Sequence, residues 1–252
     1  MCCPGRIRLD REGTRIAPAL GVNRTKEVTP RRIRAVHRRL VKQQGRPQPK
    51  DRLPVLDELV LTVLSQHTSD ANTARAFQSL KQTFPTWELM LRAPTAAVAD
   101  AIRSGGLADS KAPRLKAILA EIEKRQGSID LSVLNGMGDQ DVDEYLCSLP
   151  GVGPKTAACV LAFSMGRAAF PIDTHVHRIA RRLGWVGQTV TAEQAHRQLA
   201  PRVPPAIRYE LHMALIRHGR TVCKARRPRC RECVLFDMCE AGPRLLAAGA
   251  AG

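Results

Sequence analysis

Apolar residues along this chain recur at intervals of three and four, not two, so the pattern predicts helices from Pro30 onward. A basic helix is expected over Pro30–Gln44, with Ile33, Val36 and Leu40 on its buried edge, followed by a Pro/Gly linker at Gly45–Lys50. Leu56–Gln66 is apolar enough to be buried. Asp70 is expected to cap a helix over Ala71–Thr83. Thr86 and Thr95 are expected to cap two short helices, the second closed by Gly105 and Gly106. Leu115, Ile118, Leu119 and Ile122 mark the inner face of a helix over Lys111–Arg125. Further helices are expected at Asp141–Ser148, Thr156–Met165, Thr174–Leu183 and about Ala206–Arg217. Thr191 and Gln194 have capping-box spacing for a helix ending near Ala200. No alternating segment suggests a strand, so the expected fold class is all-α. Residues 1–29 carry no period and read as a mobile basic tail.

Composition narrows the partners. The 252 residues can form one large domain or two small ones, and with only 4% aromatic residues the core must rest on Leu, Val, Ile and Ala. Forty Lys and Arg against 23 Asp and Glu leave a formal charge of +17, which favours a polyanionic partner, nucleic acid above all. No run of eighteen apolar residues could span a membrane. Met1–Arg8 lacks an apolar signal core, so an intracellular location is expected, cytoplasmic and nucleoid-associated in a bacterium. In that setting the eight cysteines point to metal ligation or free thiols rather than structural disulfides.

Two motifs carry chemistry. Leu149–Thr156 reads Leu-Pro-Gly-Val-Gly-Pro-Lys-Thr between two helical segments. Gly151 and Gly153, with Val152 between them, let the turn close tightly and approach another molecule, and Pro154 suits a helical first turn. Free amides and the positive helix end make a seat for phosphate, beside Lys155. Near the C-terminus, Cys223, Cys230, Cys233 and Cys239 form a C-x6-C-x2-C-x5-C set. Zinc ribbons use two short C-x2-C pairs, and a single short pair with longer flanks suits an iron–sulfur cluster better. The first gap holds Lys224, Arg226, Arg227 and Arg229, a basic loop suited to gripping phosphate. Asp173 stands before the Thr174–Leu183 segment, where capping alone would account for it.

In this order, the glycine hairpin with its lysine, Ile172–His175 and the cysteine set resemble the endonuclease III family of helix-hairpin-helix DNA glycosylases. The resemblance runs from about Pro30 to Glu240, supported by Leu64–Asp70, Gly106–Ala112 and Leu211–Arg220. It implies two helical domains with a DNA-binding cleft between them: a six-helix barrel over residues 56–167 containing the hairpin, and an iron–sulfur domain built from 30–55 and 168–252. It implies Lys155 as nucleophile, Asp173 as catalytic aspartate, and Cys223, Cys230, Cys233 and Cys239 as ligands of a [4Fe-4S] cluster. Gly151, Val152, Gly153, His67, Leu107, Lys111, His175, Arg226 and Arg227 become candidate DNA contacts, with Leu107 as a wedge. His67 stands where the family often has glutamine, and Ala108 where an aromatic is common. The implied activity is excision of oxidised pyrimidines from duplex DNA, with strand cleavage by β-elimination through a lysine Schiff base, by a monomer. A lysine is protonated and a poor nucleophile at neutral pH, and a helix N-terminus with arginines nearby favours its uncharged form. A catalytically weak DNA-binding relative and an adenine mismatch glycosylase are the alternatives.

Overall fold

The computed structural model describes residues 28–49 and 51–250. Among them, twelve α-helices are joined by 3₁₀ turns and one π turn, with no strand. They are α1 (Pro30–Gln44), α2 (Val55–Leu64), α3 (Asp70–Thr83), α4 (Trp87–Arg92), α5 (Thr95–Ala101), α6 (Ala108–Gln126), α7 (Asp139–Cys147), α8 (Pro154–Cys159), α9 (Thr174–Arg182), α10 (Ala192–Leu199), α11 (Arg208–Thr221) and α12 (Gly242–Ala250). None is long and apolar enough to cross a membrane.

The buried side chains gather into two cores. One runs from Val55 on α2 to Leu161 just after α8, with Leu59, Leu64, Leu80, Ile118 and Leu119 fully enclosed. The other joins Ile33, Val36 and Leu40 of α1 to Phe170, Ile179, Leu211 and Leu215. The first helix therefore folds with the C-terminal third, and the chain builds the intervening lobe before it returns. Trp87 and Trp185 are buried, one in each core.

Several helix ends differ from the sequence expectation. The basic tail, expected over residues 1–29, lies outside the described residues as far as residue 27. Val28 is buried and Thr29 accepts from the Arg32 N–H, so these two residues belong to the fold. Ser69, not Asp70, caps α3, because its shorter hydroxyl reaches the Asn72 amide at 3.2 Å. Asp70 instead forms a paired contact with Arg220 of α11, at 2.6 and 2.9 Å, which ties one lobe to the other. Thr95 opens α5 behind Pro94 without capping it, and Gly105 closes a separate 3₁₀ turn. Thr86 and Thr191 cap as their spacing suggests, the latter in a complete capping box with Gln194.

The lobes meet where α8, its π-turn continuation Val160–Ser164, α9 and α11 come together. Ser164 Oγ donates to Leu53 O at 2.7 Å, and Phe163 lies against the rings of Tyr209 and His212. His212 is 2% exposed, and its Nδ1 donates to the Pro171 carbonyl at 2.9 Å. Burial pulls this imidazole down to about 4, and the nearby Asp173 carboxylate offsets only part of that. Because the ring is neutral when folded but titrates near 6.5 when unfolded, the unfolded chain takes up the extra proton as pH falls. Stability is therefore lost between about pH 6.5 and 4, at roughly 1.4 kcal/mol per pKa unit of separation. Thermal unfolding followed from pH 7 to 4.5 should show this decline, and it should be shallower in His212→Leu.

Candidate active site

The hairpin turn is anchored by its apolar residues and open at its glycines. Leu149 and Val152 are buried in the first core, and the Val152 N–H closes the turn on Leu149 O at 3.1 Å. Val152 is thus committed inward in both side chain and amide. The amides of Gly151 and Gly153 donate to nothing among the described residues, while Gly153 O accepts from Thr156 and Ala157 to start α8. Gly151 has φ +70, which favours glycine, and a Cβ there would stand 2.9 Å from Arg114 Cδ and push that side chain aside.

Lys155 is the second residue of α8 and half-buried. One turn on, Cys159 is buried; burial pushes its thiol up to about 11, with the positive charge of Lys155 opposing. Asp173 and Glu58 act on the same thiol, and Asp173 and Lys155 both act on His212. Lys155, Asp173 and Glu58 therefore lie around the same buried thiol, Cys159, without forming an ion pair with one another among the described residues. Asp173 caps α9: Oδ1 accepts the Val176 N–H at 2.7 Å, while Oδ2 has no partner among the described residues. One oxygen fixes the carboxylate and the other stays available.

Sequence reasoning missed Glu58. It sits inside the run read as uniformly apolar, yet it is a carboxylate only 8% exposed, accepting from Thr62 Oγ at 3.1 Å. Burial holds its pKa above the usual carboxylate value, with Thr62 and Lys155 opposing. A charged residue four positions before a threonine on a buried helix face was the available signal.

Lys111 requires a correction. Expected to touch DNA, it is 2% exposed, and its ammonium donates to Leu64 O at 2.7 Å and Gly105 O at 3.0 Å. It satisfies the end of α2 and the turn before α6, and so ties together the loops that carry His67 and Leu107. Those two residues adopt left-handed backbone, φ 56 and 53, and Leu107 is 57% exposed. Arg227 is the third such non-glycine residue among those described. Arg114 also went unnoticed in the sequence: its Nη1 donates to Gln66 Oε1 at 3.0 Å, and its stem lies over Gly151, linking the His67 loop to the hairpin.

His175 lies half-buried in the seam between α9 and α11, accepting from Arg178 Nη2 at 3.1 Å; a Cβ on Gly219 would meet it at 2.9 Å. Burial, foremost, and the neighbouring arginines lower its pKa. Arg226 and Arg227 are exposed and form no hydrogen bond or ion pair among the described residues. The loop that carries them is shaped from behind. Arg182 donates to Cys223 Sγ at 3.1 Å, Lys224 O at 2.8 Å and Ala225 O at 3.1 Å, and Arg178 to Gly219 O and Cys223 O.

Cys223, Cys230, Cys233 and Cys239 line one cavity with Arg182, Phe236 and Leu245, and none is in a disulfide. Burial first, then the proximity of the other sulfurs, pushes Cys233 up to about 11, and the one cation against the set is Arg182, on Cys223 Sγ. Among the described residues no three Cys, His, Asp or Glu side chains are gathered tightly enough to hold a single metal ion. A tetrahedral zinc site would draw the sulfurs to about 3.8 Å from each other. A four-thiol cage around a shared cavity fits a multi-iron centre, whose ligands each bind a different iron.

The fold and site define a helix-hairpin-helix protein with a lysine in the first turn after the hairpin and an aspartate capping α9. Residues 60–205 match the family described as the HhH-GPD superfamily base excision DNA repair protein. Endonuclease III of Thermotoga maritima is 36% identical over 183 residues, 72% of this chain and 81% of that protein. A putative DNA glycosylase of Arabidopsis thaliana, At3g47830, is 42% identical over 166 residues; the match takes in 66% of this chain and 57% of the plant protein's length. A structure of a trapped covalent intermediate of endonuclease III with DNA superposes with a TM-score of 0.73 at 28% identity, covering 87% of this chain and 99% of that one. The chain belongs to the HhH-GPD superfamily of base excision DNA repair proteins and, within it, to the endonuclease III family of DNA glycosylases.

The Lys111 anchor is testable on its own. Lys111→Met keeps the length and removes the donor, leaving two buried carbonyls unpaired at a cost of about 1–3 kcal/mol. We expect a lower unfolding temperature, and faster amide hydrogen exchange confined to the loops around His67 and Leu107.

Proposed function

We propose that this protein acts as a monomer to remove oxidised pyrimidines from duplex DNA and then cuts the strand at the abasic site, with Lys155 as nucleophile and Asp173 as its electrostatic partner. The observation that carries the reading is the hairpin turn with its two unused amides, followed by Lys155 in the first turn of α8, with Asp173 near the same buried Cys159 and His212. A damaged nucleotide must first leave the stack, at a cost of roughly a few kcal/mol. Gly151 and Gly153 can hold a phosphate through their free N–H groups, Arg226 and Arg227 can hold others, and the exposed Leu107 can enter the gap. His67, on the neighbouring left-handed loop, faces the same gap, and His175 is near enough to Asp173 to tune the field there.

Base loss builds positive charge at C1′, which the free oxygen of Asp173 stabilises. The Lys155 amine bonds to C1′ as the base leaves with a proton; the C1′–O4′ bond then breaks, O4′ takes up the proton lost from nitrogen, and the opened sugar is held as an iminium. Loss of a C2′ proton then breaks the C3′–O bond and releases the 3′ phosphate. Borohydride reduces that iminium to a stable adduct, so incubation with a duplex containing an abasic site should yield a covalent complex. We expect no adduct with Lys155→Ala, and excision of thymine glycol or dihydrouracil reduced about 10²- to 10⁴-fold in Asp173→Asn. An adduct that persists without Lys155 would refute the assignment.

The cysteine loop is read in the same way. Cys223, Cys230, Cys233 and Cys239 hold a [4Fe-4S] cluster whose role is to neutralise four thiolates and fix a loop too short to order itself. Arg182, Arg178 and Arg32 position that loop from the second lobe, so that Arg226 and Arg227 face phosphate. Cys230→Ser should lose the brown visible absorbance and bind DNA more weakly. Full affinity in cluster-free protein would contradict the role.

A further inference from the structure

Arg114 is a fixed cation at the hairpin with no part in the steps above. It stands on α6, one turn after Lys111, and is half-buried. Its stem crosses Gly151: a Cβ there would stand 2.9 Å from Cδ and 3.0 Å from Nε. Its Nη1 donates to Oε1 of Gln66, the residue before His67, at 3.0 Å. Packing on one side and a hydrogen bond on the other therefore hold the guanidinium between the turn and the loop.

No carboxylate answers this charge. Among the described residues Arg114 forms no ion pair, and its remaining N–H groups donate to nothing. Lys111 gives no relief, because it is a second cation whose ammonium is spent on Leu64 O and Gly105 O. Two like charges one helical turn apart, both withdrawn from bulk water, repel each other until an anion arrives. Lys111 is too enclosed to meet one, at 2% exposed, which leaves Arg114.

The surroundings suit a backbone phosphate. A guanidinium takes phosphate through paired N–H groups, and the amides of Gly151 and Gly153 on the turn beside it also donate to nothing among the described residues. The exposed Arg226 and Arg227 must lose rotamer freedom to grip an anion, whereas Arg114 is already in place.

We propose that Arg114 binds a DNA backbone phosphate at the hairpin while keeping its bond to Gln66, so that one phosphate sets both the turn and the loop that carries His67. The proposal rests on the reading of the hairpin as a phosphate seat.

The test is equilibrium binding of the full-length protein to a duplex carrying a reduced abasic site, measured across salt concentration. Arg114→Met should bind about tenfold more weakly at about 0.1 M salt and flatten the plot of log affinity against log salt by about 0.9, the share of one phosphate. Arg114→Lys keeps a charge without the fork and should retain the slope. Gln66→Leu removes the brace but leaves the cation, so the slope should hold while amides around His67 exchange faster in the complex. Unfolding temperatures measured alongside separate these effects from loss of fold. An Arg114→Met slope equal to that of the unmodified protein overturns the proposal, because a side chain that only braces the loop weakens binding equally at every salt. Tighter binding by Arg114→Met also overturns it, showing a side chain that merely covers the turn. Gly153→Glu tests the hairpin separately: its Cβ meets nothing within 4 Å, and its carboxylate repels phosphate there. If that variant binds as well as the unmodified protein, the hairpin reading falls, and the Arg114→Met slope alone decides whether Arg114 meets a phosphate.

Discussion

In a protein whose described residues contain no strand, the loops have no ladder to pair with, and their carbonyls must find donors elsewhere. Here those donors are cationic side chains. Lys111 joins Leu64 O to Gly105 O; Arg178 and Arg182 gather the carbonyls of Gly219, Cys223, Lys224 and Ala225. Arg32 spans Leu183 O and Met238 O, and Arg167 takes Met137 O, Leu134 O and Asn135 O. A charged donor to a carbonyl makes a stronger bond than a neutral one, which suits positions where one side chain must hold two segments.

This changes what the large positive charge means. A formal +17 suggests a polyanionic partner, but part of that charge is internal scaffolding. The cations that answer neither a carboxylate nor a carbonyl, such as Arg226 and Arg227, are the ones free to meet phosphate. The left-handed residues follow the same division. His67, Leu107 and Arg227 each hold a backbone conformation that ordinary side chains avoid, and each lies beside a segment fixed by a cation, the buried Lys111 for the first two and the half-buried Arg182 for the third. Strain of this kind persists only where the surroundings impose it.

What the sequence made legible was the part governed by periodicity and local hydrogen bonding. The α1 helix follows its 3.6-residue pattern from Pro30 to Gln44 with Ile33, Val36 and Leu40 inside, and the Thr191 box forms with Gln194 as spaced. What escaped was decided by neighbours distant in the chain. Ser69 and Asp70 are equally good caps on paper; Arg220, 150 residues away, draws the aspartate off and leaves the serine. Lys111 looks like any surface lysine until α2 and the Gly105 turn close over it. Glu58 follows Asp57 in a mostly apolar run and reads like a second surface carboxylate, and only the packing around α2 shows that its position is enclosed.

Asp173 shows why capping and the catalytic role proposed for it need not compete for one residue. A carboxylate has two oxygens, and the Val176 amide engages only Oδ1. That bond fixes the side-chain rotamer against the first turn of α9. The remaining oxygen is thereby held at a set height above the lobe junction without being neutralised. An aspartate anchored by a salt bridge would have lost the negative field that a cationic sugar requires, and one left free would have to be ordered at each turnover. Capping supplies the order and keeps the charge, so the local helix signal in Ile172–Thr174 and the chemistry expected of Asp173 are two consequences of the same hydrogen bond.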